Sequence, residues 1–195
     1  QAESAGCYFH VTRTIGDFRK EEGILPLNLA LDRIWSGLQS LAAGSINPIE
    51  WGIFRSSMDE GSAPGHSASL YAGKVSNNPE WGPYGILVRE TAFKTNELAI
   101  RNYLRKPSEI IEDILDTLRT CHNLDLFERY VQASKPCIVK FISTPLEESA
   151  IASALMYIFA RDWPDFLRHA NYCFDGRGRA VPANQIIDAE YPTLQ

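Results

Sequence analysis

Residues 7 to 13, CYFHVTR, alternate so that Cys7, Phe9, Val11 and Arg13 fall on one side and Tyr8, His10 and Thr12 on the other. A period of two with apolar residues on both sides predicts a first strand covered on both faces. Helical spacing follows it. Asp17 to Glu22 reads as a short amphipathic turn with Gly23 at its cap, and Leu31, Ile34, Trp35, Leu38, Leu41 and Ala42 predict a helix over 28 to 43, closed by Gly44. Asn47-Pro48-Ile49-Glu50 supplies an N-cap, a proline at the first helical position and an acid in the first turn, so a second helix should run to about Met58.

Between Asp59 and Pro83 the composition changes to Gly, Ser, Pro, Asn and Ala. A connection this long is expected to be functional, and 59–83 is read as a mobile loop that covers a substrate. YGILVRETAF, 84 to 93, predicts a strand that reaches Glu90. Pro107 then opens a helix striped with Ile110, Ile111, Ile114, Leu115 and Leu118, and Leu124, Phe127 and Val131 predict another over 123 to 133. PCIVKFIS, 136 to 143, is a further strand. Thr144-Pro145-Leu146-Glu147 reads as a capping box before a helix through Ile151, Leu155, Ile158 and Phe159, and Asp162-Trp163-Pro164 as the start of a shorter one. A hairpin about DGRG and a last strand in NQIIDAEYP complete the chain. The order predicts an α+β fold: one domain over 1–195, with a mixed central sheet and a helical insert, about 28–58, after the first strand. TRTIGDF after that strand is not the glycine-rich turn of a dinucleotide-binding Rossmann unit.

With 195 residues, 45% hydrophobic, the chain can bury one sizeable core. Its apolar runs are interrupted by charge well short of the roughly 18 residues of a membrane span. Gln1 leaves the limits of the parent chain open. A net charge of −5 argues against nucleic acid as the main partner and suits a basic partner protein. The four cysteines form no C-x-x-C pair and the four histidines no local ligand spacing, so reduced thiols and no metal are expected.

His10 and Thr12 share a face two residues apart, which aims an imidazole and a hydroxyl at one volume and predicts a binding floor for a ribose or amide. A buried imidazole bonded to a backbone carbonyl is the purely structural alternative. Ser67 and Ser69 beside His66 lack a nucleophile elbow and are read as solvated loop.

YFHVTR, followed by a short helix and EEGILPL, resembles the opening of the diphtheria-toxin-type ADP-ribosyltransferase-like domains, and AVPANQIID resembles the strand that ends many of them. The resemblance covers about 25 residues at the start and about ten at the end. It implies that His10 and Thr12 hold NAD, that an aromatic side chain, Tyr71 or alternatively Tyr84, stacks on the nicotinamide, and that a glutamate stabilises the cationic sugar. Glu90 is the first choice for that acid, with Glu147, Glu148 and Glu190 as rivals. Arg13, or Arg89 beside Glu90, is the candidate for the pyrophosphate. The expected function is thus an NAD-consuming toxin or effector, with NAD as substrate and a protein as acceptor, acting in a cytoplasm. The alternative expectation is a non-enzymatic acidic binding protein, such as an immunity or antitoxin partner.

Overall fold

The computed structural model describes residues 4–77, 81–160, 167 and 172–194. Its centre is a pair of long strands, β1 (Gly6–Ile15) and β3 (Ser134–Ser143), joined antiparallel in one register from Gly6 opposite Ser143 to Ile15 opposite Ser134. The short strands β2 (Tyr84–Ile86) and β4 (Cys173–Asp175) extend the sheet beyond β1, and β5 (Ile186–Glu190) extends it beyond β3. The order is β4-β2-β1-β3-β5 and every pairing is antiparallel. The fold is therefore α+β, and the mixed sheet expected from the sequence is antiparallel throughout the described residues.

Both sheet faces are covered, as the alternation of β1 requires. Tyr8 lies among Cys137, Val139, Phe141 and Ile186 on one face, while Phe9 and Val11 pack with Ile138, Ala92 and Leu104 on the other. Tyr8 is ringed by Phe141, Phe174 and Tyr172 at centroid distances of 5.7, 5.2 and 6.1 Å. Burying a side chain of this size contributes about 1.5–3 kcal/mol.

A second core is mainly helical. It unites α1 (Leu27–Ala42), α2 (Pro48–Asp59), α3 (His66–Ser76), α5 (Glu109–His122) and α6 (Phe127–Ala133) around Trp35, whose ring meets those of Trp51, Phe54 and Tyr71 edge-on. Asn47 caps α2 as its sequence predicts, accepting from the Glu50 amide at 2.8 Å. The one-turn α4 (Thr95–Leu98) and the more exposed α7 (Glu148–Ala160) complete the helices among the described residues. None of these is long and apolar enough to cross a membrane.

Four expectations are corrected. The loop expected over 59–83 contains α3, because Ala68 and Tyr71 recur at helical spacing and bury against α1 and α2. The strand expected over 84–93 stops at Ile86, and Arg89–Ala92 winds into a tight turn in which Thr91 bonds back to the Val88 carbonyl. The hairpin expected about DGRG does not close on itself: β4 pairs with β2, and Val181 pairs instead with Ile24. The helix through Ile151 and Phe159 is α7, which starts at Glu148, not at Pro145, with the Glu147 carbonyl accepting from the Ala150 and Ile151 amides. The short helix expected at Asp162-Trp163-Pro164 lies outside the described residues.

Candidate functional site

His10 stands on the middle strand, level with Val139 on β3. On its other side the pairing of Phe9 with Ile86 brings it level with Gly85. Glycine is needed there, since an added Cβ would lie 2.8 Å from the Phe141 ring. With no side chain in the way, the half-buried imidazole reaches across to β2, and its Nδ1–H donates to the Tyr84 carbonyl at 2.8 Å. That bond fixes the tautomer and leaves Nε2 as a hydrogen-bond acceptor. Burial lowers the His10 pKa, and the carbonyl bond offsets part of that shift. The ring is therefore neutral at pH 7.

Thr12 is on the same face and half-buried, its hydroxyl 3.4 Å from the Arg13 carbonyl. Tyr84 is 43% exposed beside His10. His10 and Thr12 thus share one face, whereas the Tyr84 side chain, two residues from Ile86 on β2, falls on the opposite face with Phe9 and Val11, and only the Tyr84 carbonyl meets His10.

The other predicted residues are elsewhere. Tyr71 is fully buried in the helical core, accepting from Trp35 Nε1 at 3.0 Å and donating to Asp59 at 2.5 Å, so neither ring face is open to stack on a nicotinamide. Arg13 points to the opposite face of the strand from His10. Its guanidinium donates to the Ser134 hydroxyl at 2.9 Å and to the carbonyls of Leu104, Val131 and Ser134 at 2.5, 2.7 and 2.7 Å. A guanidinium so occupied is a clamp between β1, β3 and α6, and has no fork left for a pyrophosphate.

Glu90 stands outside the sheet on the Arg89–Ala92 turn, bonded to Lys94 at 2.5 Å and accepting from Tyr157 at 3.0 Å. Lys94 first, then Tyr157, hold its carboxyl below the usual range. It is a solvated, ion-paired acid. Arg89 is taken up by Glu190 in a two-pronged bridge at 2.6 and 2.9 Å. Of the rival acids, Glu147 belongs to the His10 side of the sheet. It accepts from Tyr172 at 2.7 Å, and Tyr172 packs on Tyr8, whose pKa Glu147 helps to raise after burial has done most.

The sequence reading missed a cleft of about 380 Å³ where β1 ends, bounded by Thr14, Ile15, Phe18, Arg19, Gly23 and Arg33. It includes neither His10 nor Thr12. The signal was present as Arg19, Glu22 and Arg33 flanking Gly23, but their meeting depends on how the turn folds back on α1. Cys137 is inert, burial having pushed its thiol up to about 11. Among the described residues, no three His, Cys, Asp or Glu side chains are grouped to hold a metal ion.

No family model, curated protein or solved structure matches the chain.

Proposed function

We propose that this protein binds NAD against the His10 face of β1 and consumes it, as an ADP-ribosyltransferase-like enzyme or NAD glycohydrolase. The observation that carries the reading is the His10 Nδ1 bond to the Tyr84 carbonyl, which aims a neutral acceptor nitrogen from the middle strand. An imidazole held in that way accepts a ribose hydroxyl with little orientational freedom left to lose. Thr12, on the same face, adds a second hydroxyl contact.

The reading assigns the carboxylate that stabilises the sugar cation to Glu147, not to Glu90. Tyr8 folds back over Gly6, where an added Cβ would lie 2.5 Å from its hydroxyl, and Glu147 meets this aromatic group through Tyr172. Gly6 and His10 are separated by about 14 Å along an extended strand, so the two groups address different parts of one elongated ligand. In the reaction the bond from nicotinamide to ribose C1′ breaks with its electron pair leaving on nicotinamide. Water or an acceptor side chain then bonds to C1′ and gives up a proton. A fixed carboxylate beside the developing cation lowers the barrier by several kcal/mol.

Nicotinamide release from NAD tests this directly. The wild type is expected to release it, His10→Ala and Glu147→Gln to lose at least about 100-fold of the rate, and Glu90→Gln to retain it. A wild-type chain that releases none, or a Glu147→Gln variant as active as the parent, contradicts the assignment.

A second reading, a non-enzymatic acidic protein that docks a partner, is favoured by the outer side of α7, where Ile158 is 63% and Phe159 83% exposed, together with the −5 charge. A basic partner held in that way dissociates as salt rises.

A further inference from the structure

The cleft at the end of β1 is walled by the strand end from Arg13 to Ile15, the turn from Asp17 to Gly23 and the α1 side chains Arg33 and Ile34, with Ile111 of α5 and Tyr130 of α6 completing it. Its shape is held from behind. Ile24 and Val181 exchange both backbone hydrogen bonds at 2.9 Å, and Gly23, at φ 71°, comes so close that an added Cβ would lie 2.1 Å from the Val181 carbonyl oxygen.

Its charge is concentrated at one point. Arg19 from the turn and Arg33 from α1 both bond the single carboxylate of Glu22, Arg19 to one oxygen at 2.9 Å and Arg33 to the other. Glu22 does not itself line the cleft, and Asp17, the acid that does, is neutralised by Lys135. Arg13 also lines the cleft, bonded to neutral groups alone, so that with it Arg19 and Arg33 against one available carboxylate leave a local charge of +2 on a chain whose net charge is −5. Arg19 and Arg33 are both more than half exposed, and exposed pairs add at most about 1 kcal/mol each, so fold stability does not account for the cluster. The rest of the wall suits a flat organic body: Ile15, Phe18 and Ile34 are apolar. The Thr14 and Ser36 hydroxyls already donate to the carbonyls of Gly16 and Asp32, leaving lone pairs to accept from a ligand.

We propose that this cleft binds a small organic phosphate of the nucleoside phosphate class, its phosphate on Arg19 and Arg33 and its ring against Ile15, Phe18 and Ile34. Guanidiniums suit that role because their planar forks match phosphate oxygens. The inference stands apart from the NAD reading, since His10 and Thr12 do not line the cleft.

Calorimetric titration with ADP, AMP, adenosine and inorganic phosphate tests it. ADP is expected to bind saturably and to weaken as salt rises, with adenosine and inorganic phosphate each weaker by about tenfold or more. Arg19→Ala combined with Arg33→Ala should weaken ADP by at least about tenfold without lowering the melting temperature appreciably, while Glu22→Gln should bind ADP at least as tightly as the parent. No saturable ADP binding, or binding indifferent to the double substitution, overturns the proposal. Inorganic phosphate binding as tightly as ADP overturns the assignment of an organic body. Arg19→Ala combined with Arg33→Ala should leave nicotinamide release from NAD intact, so ADP binding lost in that variant without nicotinamide release by the wild type would sink the NAD reading alone.

Discussion

Two neighbours on β1 divide the work of the strand. His10 is held by one carbonyl and keeps Nε2 as an acceptor, whereas Arg13 commits four guanidinium hydrogen bonds to the fold. Because burial sets the folded His10 pKa below the ordinary value near 6.5, the unfolded chain takes up a proton that the folded chain refuses. Its contribution to stability is therefore complete above about pH 6.5 and declines as the pH falls below it. Melting temperatures at pH 7.5 and 5.5 should differ more for the wild type than for His10→Gln; equal differences would contradict the half-buried, neutral ring. Arg13→Ala strands three carbonyl oxygens and the Ser134 hydroxyl, and urea unfolding should show a loss of about 3 kcal/mol or more. Arg13→Lys should recover only part, since an ammonium cannot fork between them. A neutral Arg13→Ala would return the side chain to the list of ligand contacts. The alternation of CYFHVTR made the His10 and Thr12 face legible, but an arginine reads the same in sequence whether it faces water or three carbonyls. Tyr71 was misread because its loop-like glycine and serine neighbours hid the helix that buries it.

Among the elements, those with a strong period or an explicit cap were legible. The α1 stripe, the Asn47 cap of α2, the isoleucine face of α5 and the apolar run of β3 all fall where the sequence puts them. What failed was decided by distant partners. Residues 84 to 93 have strand composition throughout, yet only Tyr84–Ile86 finds β1 and β4 to pair with. The segment about DGRG contains hairpin turn chemistry, but its two arms bond to β2 and to Ile24, choices that no local signal encodes. Gly23 is the sharpest case at this scale, because its role is set by Val181, far along the chain. Gly23→Ala places a Cβ against the Val181 oxygen at a positive φ, and thermal or urea unfolding should register a loss of at least about 2 kcal/mol. A fully stable Gly23→Ala protein would mean that the turn and Val181 separate readily, and the cleft wall with them.

At the level of the molecule, the helical core is drawn from two stretches, α1 to α3 between β1 and β2 and α5 with α6 between β2 and β3, and docks at the end of the sheet where Arg13 and Tyr130 meet, leaving the His10 face to the aromatic group around Tyr8. Fold class followed from the order of elements; the antiparallel sheet order did not, because strand pairing over more than a hundred residues is a property of the packed whole. The candidate site was half legible for the same reason. One strand supplied His10 and Thr12, while the choice of Glu147 over Glu90 required knowing that Lys94 and Tyr157 hold Glu90 in solvent. The central claim is that the His10 face receives NAD. Calorimetric titration with NAD at pH 7.5, where His10 is neutral, should give saturable binding by the wild type and at least about tenfold weaker binding by His10→Ala, the equivalent of one lost charge-free hydrogen bond and its orienting effect. Equal affinity in the two proteins, or no heat from either, would contradict it.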